Sequence, residues 1–423
     1  MLKLGDPMRN LLFIDSSFTY RRLKEDGLDH VLAVRFLDNY FDKVWSAHPL
    51  DTQPNIADDL SPWGRALWAE ISEKHKFLRG RYGRFAFLRW AKKINHAWAL
   101  TSFLAELVRL VRREKIRVIR VGDPLLTGLI GLAISQITGA SLVLRINGNN
   151  DELRKETQSC IQPSIFRWGW LEELVEKRVI SRSQVILVPN RNYEIYARNK
   201  GASSKQIHFT NYGNLIDPRH LVHPSKRPKI RYQRLFGEIP ERRWVAHIGR
   251  LHEVKRVEEA YDAFVLLSRS VENVGICFVG DGPLREKLGR RVSADGLSHR
   301  VRFMGNIDQE TLWRSMQFFS VIVSPRTGRA LAEAAFGARP IVAYDLDWQG
   351  ELLESGKSGL LVPEGDSAAM AEAILRILGD NLLAKKLGAN ARKRAFKLLS
   401  PQLQSAAEMR AYDQVYEKAA HES

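Results

Sequence analysis

The sequence predicts an α/β protein of two domains, each built on a mostly parallel sheet, and three observations carry that expectation. A length of 423 residues exceeds one ordinary core and suits two domains of roughly 200 residues each. Short apolar runs alternate with amphipathic segments throughout, the pattern of helices that cross over parallel strands. A stretch rich in proline and charge, containing His223-Pro-Ser-Lys-Arg-Pro-Lys229 and Gly237-Glu-Ile-Pro240, interrupts that alternation and reads as a connection.

In the first half the expected strands are Asn10–Ile14, Lys43–Ala47, Arg117–Val121, Ser141–Arg145 and Gln184–Val188, with helices over Ala97–Arg113, Leu125–Thr138 and Trp170–Ser181. The second half restarts with Arg243–Ile248, Gly275–Val279, Val301–Met304, Ser320–Ser324, Pro340–Tyr344 and Gly359–Val362. The expected division is a first domain over 1–220, a connection over 221–241, a second domain over 242–400 and a terminal helix over 401–423. Ser400-Pro401 is a cap and first-turn proline for that helix, which lies beyond the last strand and is free to cross back to the first domain.

Composition narrows the function classes. Sixty-five Lys and Arg against 48 Asp and Glu give a net charge of +17, which favours phosphates, nucleic acid or an anionic membrane without choosing among them. The two cysteines, Cys160 and Cys277, argue against a disulfide framework, and the second sits inside the apolar run Val274–Val279 as a reduced core residue. Met1–Asn10 lacks the apolar core of a signal peptide, and the apolar stretch Pro124–Ile137 falls short of the ~20 residues that span a bilayer. A cytoplasmic protein is expected, with any membrane association peripheral at the inner face.

Three strand-to-helix loops could carry chemistry. Gly249-Arg250-Leu-His-Glu-Val-Lys255 places two cations where doubly wound folds bind ligands, either to hold a diphosphate or as solvated surface charge. Val279-Gly280-Asp281-Gly282-Pro283-Leu284 offers glycines for close backbone approach or simply a strand end. In Ser324-Pro-Arg-Thr-Gly328-Arg-Ala-Leu-Ala-Glu333, amides at a helix start favour an anion, and Glu333 could accept ribose hydroxyls or be an ordinary helix residue. No His/Cys/Asp cluster has metal-ligand spacing, so no essential metal or cofactor is expected.

The order and spacing of these loops resemble family 4 of the retaining glycosyltransferases, which have the GT-B fold of two Rossmann-like domains facing across a cleft. The resemblance covers about residues 243–400. It includes Val301-Arg-Phe-Met-Gly305, Glu333-Ala-Ala-Phe-Gly-Ala-Arg-Pro-Ile-Val342, Gly350-Glu351, Gly356-Lys-Ser-Gly-Leu-Leu-Val-Pro363 and Asn390-Ala-Arg392, with Asn211-Tyr-Gly-Asn-Leu-Ile-Asp217 matching in outline. The resemblance implies that Arg250 and Lys255 neutralise the departing diphosphate, that Glu333 holds the ribose, and that Met304 and Gly305 border the base. Gly249, Gly280, Asp281 and Gly282 would shape the donor site, and Gly328, Arg329, Ala330 and Leu331 would face the phosphates or sugar.

The sequence departs from the family at two places. The glutamate usual eight positions before Glu333, which contacts the donor sugar, is replaced by Pro325, with Thr327 or Arg329 as substitute contacts. The usual histidine has no counterpart in Leu144-Arg-Ile-Asn-Gly-Asn-Asn-Asp151, and the usual glycine pair is replaced by Asp15-Ser-Ser-Phe-Thr19. Asn147, Asn149 and Asp151 either orient an acceptor hydroxyl or form a polar turn.

Lys74–Lys93 holds eight Lys or Arg and no acid, interleaved with aromatics. This composition suits an interfacial helix on anionic lipid, or a basic surface helix with ordinary core aromatics. Nucleic-acid binding is not expected, for want of a recognised module. The resemblance implies retaining, hexosyl-type transfer from a nucleotide-diphosphate sugar to a hydroxyl of a lipid-linked or polysaccharide glycan. The competing reading is a non-catalytic nucleotide-sugar-binding scaffold of the same fold at a membrane surface.

Overall fold

Apolar runs bounded by turn residues become the strands of two sheets in the computed structural model, which describes residues 8–25, 29–54, 60–211, 216–326, 328–346 and 348–421. The chain divides into two compact units, Met1–Asn211 with Gln404–Ser423, and Tyr212–Leu403.

The first unit holds β1 (Asn10–Ile14), β2 (Lys43–Thr52), β3 (Leu67–Ser72), β4 (His75–Arg81), β5 (Val118–Val121), β6 (Ser141–Arg145), β7 (Val185–Val188) and β8 (Ile207–Phe209). They form one sheet in the order β3-β4-β2-β1-β5-β6-β7-β8, parallel except for the antiparallel β3–β4 pair. Alternate residues face opposite layers. Leu12 and Ile14 join one core with Phe103, Leu107 and Ile130, while Leu11 joins another with Val118, Val143 and Leu187. That second layer is closed by Ala411, Tyr412 and Val415 of the helix Pro401–His421, so the terminal helix does return to the first unit.

Residues 74–93 do not form the expected helix. His75–Arg81 is strand β4, Ala86–Leu88 is a single 3-10 turn, and helix begins only at Lys92. Burial on both faces decides this: Phe77 and Leu78 join cores on opposite sides, and Gly80 packs so closely on β2 that a Cβ would lie 2.1 Å from the Pro49 carbonyl oxygen. Two cations of this strand do not join a solvated face either, since Arg79 is buried against Asp51 of β2 and Arg81 is buried as well.

The second unit contains β9 (Arg243–Ile248), β10 (Val274–Val279), β11 (Val301–Gly305), β12 (Phe319–Ser324), β13 (Ile341–Tyr344) and β14 (Leu360–Val362). Their order, β11-β10-β9-β12-β13-β14, is all parallel, with apolar layers on both faces. The segment between the motif-bearing halves is built into this unit: Phe236 of the helix Tyr232–Phe236 stacks on Trp244 with ring centroids 4.5 Å apart. Among the described residues no helix is long and apolar enough to cross a membrane.

Candidate functional site

In the second unit the strand order reverses between β9 and β12: the chain steps one way from β9 to β10 and β11, and the other way from β12 to β14. Loops that follow the two central strands therefore diverge and leave a crevice at the carboxyl edge of the sheet. The loop after β9 supplies Gly249, Arg250 and Lys255, and the loop after β12 leads to the helix Arg329–Phe336. The topology thus gathers the predicted donor-side residues at one edge.

The glycines of this edge serve the packing of loop on loop. Gly280 has φ +128°, and a Cβ there would lie 2.1 Å from the Gly249 carbonyl oxygen. A Cβ on Gly282 would lie 2.4 Å from that of Leu251. Backbone bonds Gly249 to Val279, Leu251 to Asp281 and Gly280 to Gly305 then zip the loops after β9, β10 and β11 together. Asp281 is a turn residue, accepting from the Gly282 amide at 2.8 Å and facing Arg285 at 3.4 Å. Met304 is half-buried at the end of β11, and Gly305 adopts φ +67°.

Arg250 is exposed and has no ion pair among the described residues, whereas Lys255 is half-buried at the end of the same loop. Beneath them His247, the penultimate residue of β9, is fully buried, and neither ring nitrogen makes a well-formed hydrogen bond among the described residues. Burial, reinforced by the Lys255 charge, lowers its pKa to about 4, so this imidazole is neutral under the loop.

Across the crevice, the Leu331 amide donates to the Gly328 carbonyl, leaving the Arg329 and Ala330 amides as first-turn donors. Glu333 is buried, with Oε1 3.0 Å from Arg329 Nε but outside hydrogen-bond geometry. Thr327 lies outside the described residues, as do Tyr212–Leu215 of the earlier motif. Sequence reasoning missed Gln349, a buried side chain whose Nε2 donates to the Pro325 carbonyl at 3.1 Å and braces the loop after β12. No residue spacing signals that contact.

The first unit has its own reversal, between β2 and β5 around β1. There a cavity of 560 Å³ is lined by Ser16, Ser17 and Thr19 after β1, by His48 and Gln53 along and beyond the β2 core, and by Gln162. His48 accepts the Leu50 amide on Nδ1 at 3.1 Å, and burial lowers its pKa although Asp51 and Asp15 oppose the shift. The three acceptor-side candidates do not line this cavity; each holds a fold contact. Asn147 donates to the Gly122 carbonyl at 2.9 Å, and Asn149 caps the helix Asn150–Thr157. Asp151 meets Arg154 and Lys200, each at 2.7 Å. Burial pushes the Asp151 carboxyl up, but those two cations outweigh it and hold its pKa below the ordinary carboxylate value.

Among the described residues no group of His, Cys, Asp and Glu has the arrangement of a metal site. Residues 231–394 match the family model of glycosyl transferases group 1. The match lies wholly within the second unit, which is similar to this family. Among curated group 1 relatives, the α-D-kanosaminyltransferase of Streptomyces kanamyceticus is 24% identical over 265 residues, 61% of this chain and 66% of that protein. The phosphatidyl-myo-inositol mannosyltransferase of Mycobacterium leprae is 32% identical over 148 residues, 34% of this chain and 39% of its own length. The matched region therefore spans less than two thirds of either relative. The crystal structure of Anabaena HepE in complex with UDP and glucose matches 98% of this chain and 100% of its own with a TM-score of 0.69 at 18% identity, in keeping with a GT-B fold.

Proposed function

We propose that the protein transfers a hexosyl group from a nucleotide-diphosphate sugar to a hydroxyl of a lipid-linked or polysaccharide glycan, with retention at the anomeric carbon. The observation that carries this reading is the second unit's crevice, with Arg250 and Lys255 on one wall and the first-turn amides and Glu333 on the other. As the sugar–phosphate bond breaks, negative charge grows on the departing diphosphate and the sugar gains oxocarbenium character. Preorganised cations and helix amides stabilise that charge more in the transition state than in the ground state. Glu333, whose Oε1 pairs with Arg329 outside hydrogen-bond geometry, is suited to accept from ribose hydroxyls. The acceptor hydroxyl attacks from the face the diphosphate leaves, and a departing phosphate oxygen takes its proton, so no protein nucleophile is assigned.

For the acceptor the 560 Å³ cavity of the first unit is the better seat than Asn147, Asn149 and Asp151. Its hydroxyl, amide and imidazole groups suit a polyhydroxylated ligand. HepE, seen with UDP, and the mannosyltransferase relative, named for a phosphatidyl-inositol acceptor, support a nucleotide-sugar donor and a lipid-borne acceptor.

The test is a panel of UDP-, GDP- and ADP-sugars read by thermal shift and by slow donor hydrolysis. One donor should raise the melting temperature and be hydrolysed. Binding without hydrolysis or transfer would favour the non-catalytic scaffold, and no binding at all would end the reading.

A further inference from the structure

Immediately after strand β4 the chain builds a surface at odds with water. Phe87 is 72% exposed, Trp90 79%, Ile94 62% and Trp98 54%. Trp90, Ile94 and Trp98 recur every fourth residue along the outer face of the helix Lys92–Arg113 and the turn leading into it, while Asn95, Ala99 and Phe103 of that helix are buried. The first two turns of this helix are therefore apolar on their outer face, where a solvated face would be polar.

The surface is held in shape. Buried Asn95 accepts the Arg84 and Phe85 amides at 2.6 and 2.8 Å and donates to the Phe85 carbonyl at 2.7 Å, fastening the loop that carries Phe87. Phe85 sits edge-on to Trp98, with ring centroids 5.8 Å apart.

It also continues across two neighbouring helices. Lys92–Arg113, Leu126–Thr138 and Gly169–Arg182 connect β4 to β5, β5 to β6 and β6 to β7, all stepping the same way across the sheet, so right-handed crossovers put them on one face. The first packs on the second and the second on the third. All three start at the carboxyl edge of the sheet, and each exposes large apolar side chains near its start. The second exposes Leu129, and the third exposes Trp170 and Leu174, with Trp168 stacked on Trp170.

The charges that frame this face are one-sided. Arg89, Lys92, Lys93 and Arg167 are exposed, no acid occurs from Arg84 to Lys93, and the helix Leu126–Thr138 has no charged residue at all. Glu172 and Glu176 of the third helix are buried against Arg154, so Glu173 is its exposed acid. A two-fold contact between copies would set these cations against each other.

We infer that this face docks on an anionic phospholipid surface, with Trp90, Trp98, Trp168 and Trp170 at headgroup depth and the flanking cations against lipid phosphates. The docking rests on the transferase reading only for its purpose, delivery of the carboxyl edge to a lipid-borne acceptor.

The experiment is flotation of the full chain with vesicles of phosphatidylcholine, with and without phosphatidylglycerol. The protein should float with the anionic vesicles alone. A triple variant, Trp90→Ala, Trp98→Ala and Trp170→Ala, should no longer float. Replacing Arg89, Lys92 and Lys93 by Gln should weaken binding on the order of a hundredfold. Both variants should keep the wild-type melting temperature and the wild-type rate of donor hydrolysis without lipid. Unchanged flotation of the tryptophan variant overturns the inference. So does absence of flotation by the wild type, or a wild-type dimer that the tryptophan variant turns into monomer, which would make this a contact between copies. Loss of donor hydrolysis by the wild type would strike the transferase reading and leave the docking standing.

Discussion

Arg120 of β5 and Glu408 of the terminal helix, 288 residues apart in sequence, form a buried ion pair inside the first unit. Arg145 of β6 approaches the same carboxylate at 3.9 Å, and the Tyr412 hydroxyl donates to it at 3.0 Å. Burial alone would lower the Arg120 pKa, but the Glu408 charge outweighs it and raises it, so the guanidinium stays charged. Two sheet cations thus depend on one carboxylate brought in by the chain's last helix.

Removing that carboxylate leaves buried positive charge without compensation. Glu408→Gln should therefore destabilise the protein by about 3–5 kcal/mol, whereas replacing both partners, Arg120→Met with Glu408→Leu, should recover most of the loss. Urea midpoints of the three proteins check this. Equal stability of the single and double variants would show that the pair does not hold the helix.

The glycines of the second unit separate packing from mere turn preference. Gly280→Ala must place a Cβ 2.1 Å from the Gly249 carbonyl oxygen at φ +128°, so it should cost about 1–3 kcal/mol from the backbone strain alone and weaken donor binding by shifting the Arg250 loop. Gly289, inside the helix Arg285–Ala294, has nothing within 4 Å of its Cβ position, and Gly289→Ala should stabilise by roughly 0.5–1 kcal/mol. Thermal unfolding of both variants, with a nucleotide-sugar titration of the first, gives the comparison.

Buried His247 should make stability fall on acidification. Its pKa is about 4 in the folded protein against an ordinary 6.5, so between those values the unfolded chain takes up a proton that the folded chain refuses. The stability it contributes is complete above pH 6.5, declines as pH falls toward 4, and levels off below, with a span on the order of 3 kcal/mol. His247→Gln should flatten that part of the urea-midpoint curve. The histidines at 48, 75, 208 and 220 are lowered by burial as well, so a residual slope of the same sign should remain.

The strands buried on both faces were readable because their composition is itself the signal: Asn10–Ile14 and Arg243–Ile248 appear in the fold at the bounds their apolar runs suggested. The loops that follow them in the second unit carry motif residues, so the crevice could be anticipated from spacing. What escaped depends on partners distant in sequence. The cations of Lys74–Lys93 suggested an interfacial or basic surface helix, whereas in the fold Asp51 takes Arg79 into the core. Asp151 looked available because Arg154 and Lys200 reach it only in the fold. The cavity of the first unit draws residues from Ser16 to Ile165, a dispersal without any motif.

Arg250 and Lys255 share one loop but differ in exposure, and that difference should divide their kinetics. Lys255, half-buried above neutral His247, stands in a less solvated setting, where in the proposed mechanism a fixed charge would act strongly on the departing diphosphate. Lys255→Ala should lower kcat by about 100- to 1,000-fold with little change in melting temperature, the scale for loss of one preorganised group. Arg250 is exposed, so under the same proposal water would screen it until donor binds, and its attraction for the diphosphate would be spread more evenly between bound substrate and transition state. Arg250→Ala should therefore raise KM for the donor as well as lower kcat, and Arg250→Lys should restore part of the KM loss. Steady-state kinetics on the donor identified by the panel decide it. Equal losses in KM for both variants, with kcat intact, would reduce the two cations to donor binding and remove them from the chemical step.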